Sequence, residues 1–322
     1  MGRVNATVFI FLKIVMRKID LTSYIESTKD LDIFSIIVLQ HGEKVGEYHR
    51  EPERVRPQYS VTKSFTSTAL GIAVDEGLLS LEDRVIEFFP EDIPECPSDN
   101  LKNLRVKHLL KMAVGHCKGY LMADGSFGTT PRGELLEKNW VKYCLNQHFP
   151  CKPEEKFIYN NAAAYLAGVI VQKLSGELLE DYLMTRLFQP LGISKPTWEK
   201  CPRGYNFGAG GLELKVSDLS KFGQLYLQKG NWEGTQLLSE KWVKEATSKQ
   251  IDTDNRGDWG QGYGYQFWRG EHNSYRADGK YGQYCLVLEK EDAVIAINSH
   301  ATHVRRILEN LWVEIWPQLI RG

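Results

Sequence analysis

Ser60-Val61-Thr62-Lys63 sets a hydroxyl and an amine three residues apart at the head of a helical pattern over residues 60–75. Residues at i and i+3 share a helix face, so the Ser60 hydroxyl and the Lys63 amine are neighbours. A serine at a helix N-terminus also lies at the positive end of the helix dipole, which favours a developing alkoxide or oxyanion. Such a pair can carry acyl transfer, splitting one hard step into formation and breakdown of an acyl-enzyme. By itself the pair is a weak signal. A chain of ordinary composition carries about one Ser-x-x-Lys by chance, and a helix cap beside a solvated lysine is the plain alternative.

Two further clusters shift that balance. Tyr159-Asn160-Asn161 is the sole Tyr-x-Asn of the chain and directly precedes a helical stretch over residues 162–174. Lys280-Tyr281-Gly282 follows at the expected start of a late strand. The order Ser-x-x-Lys, Tyr-x-Asn, Lys-x-Gly resembles the serine β-lactamase and penicillin-binding protein superfamily. The tyrosine of the middle element points to the class C β-lactamase-like branch, which also holds esterases, D-amino-acid peptidases and amide hydrolases. Residues 106–112, 157–176, 187–193, 210–212, 218–227, 236–239 and 262–268 also resemble that branch, in family order.

The resemblance implies an acyl-enzyme on Ser60, with either Tyr159 or a neutral Lys63 as base. A tyrosine has an ordinary pKa of about 10, but one set between Lys63 and Lys280 ahead of a helix would ionise more readily. The backbone N–H groups of Ser60 and Gln283 are the implied oxyanion hole. Asn161 is expected to hydrogen-bond Lys63 and a substrate amide, while Lys280 and Gly282 line the substrate-binding wall. No cofactor is implied, and the substrate is a small molecule or short peptide. One departure bears on that substrate: Tyr281 stands where the family has a threonine whose hydroxyl helps bind the β-lactam carboxylate. The expected function is therefore hydrolysis of an ester, amide or D-amino-acid peptide. A β-lactamase proper and a non-catalytic penicillin-recognising binding or assembly protein are the alternatives.

The elements that must position these residues read as α+β. A short polar helix over residues 21–29 precedes two strands, 34–39 and 45–48, joined by the tight turn His41-Gly42-Glu43. Residues 80–260 are mostly helical segments punctuated by Pro and Gly, including one over 216–228. Strand character returns at 262–268, 284–288 and 293–298, and a helix over 304–316 closes the chain. This predicts a β-lactamase-like antiparallel sheet built from both chain ends and flanked by helices, with a largely helical inserted domain. The expected boundaries are 1–15 for an extension or weak signal-like segment, 16–78 with 262–322 for the sheet domain, and 79–261 for the insertion.

Forty Lys and Arg against forty-one Asp and Glu leave a formal charge of −1, which removes the electrostatic footprint of a nucleic-acid partner. Eight Trp, fifteen Tyr and thirteen Phe argue for a packed core and against disorder. The apolar stretch over residues 7–15 is short of the ~20 residues of a membrane span, so no stable membrane insertion is expected. Six cysteines without a Cys-x-x-Cys pair read as buried reduced thiols and favour the cytoplasm. Export is the alternative if the N-terminal segment is a signal peptide. His116-Cys117 lacks a third metal ligand, Gly208-Ala209-Gly210-Gly211 lacks the lysine of a phosphate loop, and no Ser-His-Asp set stands out. Oligomeric state is not legible.

Overall fold

The computed structural model describes residues 18–321, so the segment 1–15 lies outside the described residues. The first helix, α1 (Thr22–Ser27), leads into β1 (Ile33–Gln40) and β2 (Glu43–His49), turned by His41 and Gly42, both at positive φ. The late strands are β3 (Trp268–Arg269), β4 (Tyr275–Gly279), β5 (Gln283–Leu288) and β6 (Ala293–Ser299). Together they form one six-stranded antiparallel sheet in the order β2-β1-β6-β5-β4-β3. The two chain ends meet where β1 pairs with β6, with Ile36 opposite Ile297 and Val38 opposite Ile295. The β-lactamase-like α+β arrangement read from the sequence is the one found.

Both faces of this sheet are covered, and the strands show it in their alternation. Ile36 and Val38 of β1, Leu286 of β5 and Ile295 of β6 pack towards α1 and the C-terminal helix α5 (Val304–Glu314). Ile37 of β1, Cys285 and Val287 of β5 and Val294 of β6 face the other way, into the larger core. That core is organised by three helices, α2 (Thr62–Asp75), α3 (Asn161–Ser175) and α4 (Val216–Leu227). Helix α2 is buried from Thr62 to Ala73, and Phe65 stacks on Phe222 of α4 at a centroid distance of 3.9 Å.

Five serines and threonines lie on this buried helix, and among the described residues all but Ser67 have a hydrogen-bond partner for the hydroxyl. Ser64 donates to the Gln266 carbonyl, Thr66 to the Gly208 carbonyl at 2.7 Å, and Thr68 to the Ser64 carbonyl. Gln266 explains why residues 262–268 are not the strand their alternation predicts. It sits at φ +65°, is buried, and donates its amide to the Leu109 and Leu110 carbonyls. Only Trp268 continues into the sheet, and Tyr263, Tyr265 and Phe267 are core. Cys144, Cys201 and Cys285 are buried as expected, whereas Cys96 and Cys117 are exposed. Among the described residues no helix is long and apolar enough to cross a membrane.

Candidate active site

Ser60 lies in a single 3-10 turn, Tyr59–Val61, that runs directly into α2. Tyr59 holds φ +48°, a left-handed conformation that costs a non-glycine side chain on the order of 1 kcal/mol. The strain lets the chain arrive from the Arg56–Pro57 strand and turn sharply, leaving the Ser60 side chain half-buried at the edge of a cavity. Lys63, one helical turn on, is 1% exposed and donates to Ser60 Oγ at 2.8 Å and to the Ala209 carbonyl at 2.7 Å. Burial, then the positive charge of Arg132, pull the Lys63 amine well below its ordinary pKa, and Asp278 opposes them. A neutral amine within hydrogen-bond reach of a serine hydroxyl is what a general base requires.

Tyr159 lies against Lys63 and Ser60, and Asn161 lines the cavity, because the residue between them caps α3. Asn160 is extended, and its Oδ1 accepts from the Ala162 N–H at 3.0 Å and the Tyr120 N–H at 2.9 Å. Its Nδ2 donates to His116 Nδ1 at 2.8 Å, and His116, whose pKa burial pushes down to about 3, is neutral. The neighbours of an extended residue point to the face opposite its own side chain. The Tyr159 ring stacks on Trp268 and lies 5.0 Å from Lys63 Nζ. Burial raises its phenol pKa above the ordinary value, and contact with the Ser60 hydroxyl lowers it only in part. The structure therefore differs from the expectation of a readily ionised tyrosine between two lysines.

Burial is the reason for that difference, and Lys280, the second lysine of the expectation, is engaged elsewhere. It is not at the start of a strand but in the turn between β4 and β5, closed by the Gly282 N–H to the Gly279 carbonyl at 3.1 Å. Its Nζ reaches Asp124 at 3.1 Å, and that pair raises the lysine pKa. The Ser126 contact, then Lys280, hold the Asp124 carboxyl down to about 2. Tyr281, at φ +66°, stacks on His300 with centroids 4.2 Å apart and meets Tyr59 edge-on. Gly282 and Gln283 do not line the cavity. Gln283 is opposite Gly279 in the ladder and exchanges side-chain hydrogen bonds with the Ser299 backbone, which turns it away from Ser60. Nor does Asn161 bind Lys63: its Nδ2 donates to the Leu121 carbonyl at 3.1 Å.

The cavity, about 610 Å³, brings Ser60, Asn161, Lys280 and Tyr281 together with residues that no local pattern marked. Arg132 forms a two-pronged pair with Glu199 at 2.9–3.2 Å, and Asp124, Glu213, Phe207 and His300 complete much of the wall. The glycine-rich run 208–211 is its floor: the Lys63 amine and the Thr66 hydroxyl bond its carbonyls. Gly211, at φ +81°, has no room for a side chain, since a Cβ would lie 2.1 Å from that of Glu199. Arg132, Glu199 and Glu213 come from three separate stretches of chain, Glu213 from a two-residue strand paired with Arg56–Pro57, so only a signal of longer-range pairing could have found them. Among the described residues no group of three His, Cys, Asp or Glu is placed to hold a metal.

The chain is similar to several known proteins. Penicillin-binding protein 4 of Amycolatopsis lactamdurans is 23% identical over 297 residues, covering 81% of this chain and 76% of the relative. The 6-aminohexanoate-dimer hydrolase of Paenarthrobacter ureafaciens is 25% identical over 234 residues, 68% of this chain and 59% of that protein. In fold, the octameric penicillin-binding protein homologue from Pyrococcus abyssi matches with a TM-score of 0.71 at 22% identity, covering 90% of this chain and 76% of the other. The family model described as Beta-lactamase matches residues 34–315, which takes in every strand of the sheet and all three motifs save one residue of β1, and the chain thus belongs to the beta-lactamase family.

Proposed function

We propose that the protein is a serine hydrolase that forms an acyl-enzyme on Ser60 and cleaves an ester, an amide or a D-amino-acid peptide. The observation that carries this reading is the 2.8 Å contact between Lys63 Nζ and Ser60 Oγ, made by a lysine whose burial favours the neutral amine. Lys63 takes the Ser60 proton as Oγ attacks the substrate carbonyl. Tyr159, kept protonated by its surroundings, borders the Ser60 hydroxyl and passes a proton on to the leaving group rather than acting as the resting base. For the oxyanion, the backbone N–H groups of Ser60 and Lys280 are the donors that fit. Both residues line the cavity, and neither N–H has an acceptor of its own among the described residues. A binding or assembly protein has no use for a buried lysine held against a serine hydroxyl.

The test is covalent labelling with a serine-reactive fluorophosphonate and a fluorescent penicillin, alongside aryl esters, nitrocefin and D-Ala-D-Ala peptides. Ser60→Ala is expected to abolish label and turnover while leaving the circular dichroism spectrum unchanged. Mass spectrometry that finds the adduct on another serine would overturn the assignment.

A further inference from the structure

The wall of the Ser60 cavity has a patch of hydrogen-bond acceptors with no cation to match them. Residues 197–199 and 211–213 run antiparallel, with Trp198 bridged to Leu212, the Glu199 N–H on the Gly211 carbonyl and the Glu213 N–H on the Thr197 carbonyl. Trp198 and Leu212 are buried in the core. By the two-residue alternation of paired strands, Thr197, Glu199, Gly211 and Glu213 face the other way, and all four line the cavity. Asp124 is matched by Lys280, and Glu199 by the two-pronged Arg132. The Glu213 carboxylate has no salt-bridge partner among the described residues.

A second acceptor lies in the same cavity. Asn161 is 8% exposed, and its Oδ1 has no hydrogen-bond partner. The orientation of this amide follows from its neighbour: the Leu121 carbonyl can only accept, so Nδ2 must face it and Oδ1 must face away. A buried carbonyl oxygen left in this state asks for an N–H or O–H from whatever occupies the cavity.

Resting on the hydrolase reading above, we infer that the acyl group cleaved here carries a free ammonium, so that the substrates are esters or amides of unblocked amino acids. Asn161 and Glu213 line the same cavity as Ser60, so an acyl group on Ser60 shares it with both acceptors, the Asn161 Oδ1 and the Glu213 carboxylate. The cation that would repel an ammonium, Lys280, is already paired with Asp124. Glu213 is a specificity residue in this scheme. Arg132 is no obstacle, because its charge is already met by Glu199.

The experiment compares glycine p-nitroanilide with N-acetylglycine p-nitroanilide, using Ser60-dependent hydrolysis of p-nitrophenyl acetate as the control. The free amine is expected to be favoured by about tenfold or more in kcat/KM, mostly through KM, the usual scale of a charged hydrogen bond. Glu213→Gln should erase about that preference and Glu213→Asp retain part of it. Without any substitution, n-butylammonium should compete with p-nitrophenyl acetate more strongly than n-butanol does. Equal or better turnover of the N-acetyl substrate, or no advantage of butylammonium over butanol, overturns the inference while the ester control still stands. Loss of Ser60-dependent turnover on every ester and anilide overturns the hydrolase reading, and the inference with it.

Discussion

At the scale of single residues, the site is decided by which titratable group gives up its charge. Lys63 is buried and Tyr159 half-buried, and loss of water penalises the charged form of each: the lysine pKa falls and the tyrosine pKa rises. Both groups are driven towards neutrality, which leaves the amine as the better base. Arg132 adds to the fall of the lysine. Replacing it removes a positive neighbour and releases Glu199, and both changes favour protonated Lys63. Arg132→Gln should therefore move the acid limb of the pH–kcat/KM profile to higher pH, with a several-fold lower rate near pH 6 on a neutral aryl ester. An unmoved limb would detach Arg132 from the base. Ser60, Lys63, Tyr159 and Asn161 were legible in the sequence because helix periodicity and a capping residue dictate which of them share a face. Arg132, Glu199 and Glu213 were not, because their meeting depends on chain paths that no short window encodes.

At the scale of elements, the critical contact is between the nucleophile turn and β4. A Cβ at Gly279 would lie 2.4 Å from the Gln58 carbonyl oxygen and 3.0 Å from the Gln283 Cβ, distances that backbone cannot accept without moving. Gly279→Ala should push the strand and the following Lys280 turn off Ser60. Since a shift of about 1 Å in a site can cost around 100-fold in rate, the expected outcome is a drop of that order in kcat. Thermal stability should fall as well, by the ~1–3 kcal/mol usual for overpacking, because Gly279 is buried. An unaltered kcat would mean that the Lys280 turn does not contribute to the oxyanion site. Strand β4 was missed from the sequence because the positions on its two faces, Ala277 on one and Arg276 with Asp278 on the other, look polar and irregular on paper although both faces are covered. Conversely, residues 262–268 alternate like a strand, yet Gln266 draws them onto the helical part, where its amide satisfies two carbonyls.

At the scale of the whole molecule, a buried ion cluster joins the sheet to the C-terminal helix. Arg276, fully buried on β4, pairs with Asp258 at 3.2 Å and with Asp278 at 3.1 Å. Trp312 of α5 donates to Asp258 and Trp259 donates to Asp278. Burial raises the Asp278 pKa and Arg276 opposes the rise. Arg276→Met would leave two carboxylates without their cation, a loss of about 3–5 kcal/mol by the usual cost of breaking a buried pair. The sign with pH follows: a carboxyl with a raised folded-state pKa, as at Asp278, favours the fold when protonated and opposes it when ionised. The deficit of the variant should therefore be largest at neutral pH and shrink as pH falls. Urea unfolding of both proteins at pH 7 and pH 5 measures it, and a deficit that grows in acid would contradict the account.

From the sequence alone, periodicity and element order carried the α+β class and a sheet built from both chain ends, helix spacing put Ser60 beside Lys63, and the family resemblance implied that Tyr159 joins them. Of these, only the Ser60–Lys63 pair rests on residues one helical turn apart, whose relation is settled by helix geometry. Only the tertiary structure decided where Lys280 sends its charge, which way Asn161 turns its amide, and that Gly282 and Gln283 belong to a hairpin rather than to the cavity. Those outcomes depend on Asp124, Leu121 and Ser299, partners 156, 40 and 16 residues away from the side chains they bind. Local propensity carries no information at that range, because the energy that selects such partners appears only when the chain is already folded around them.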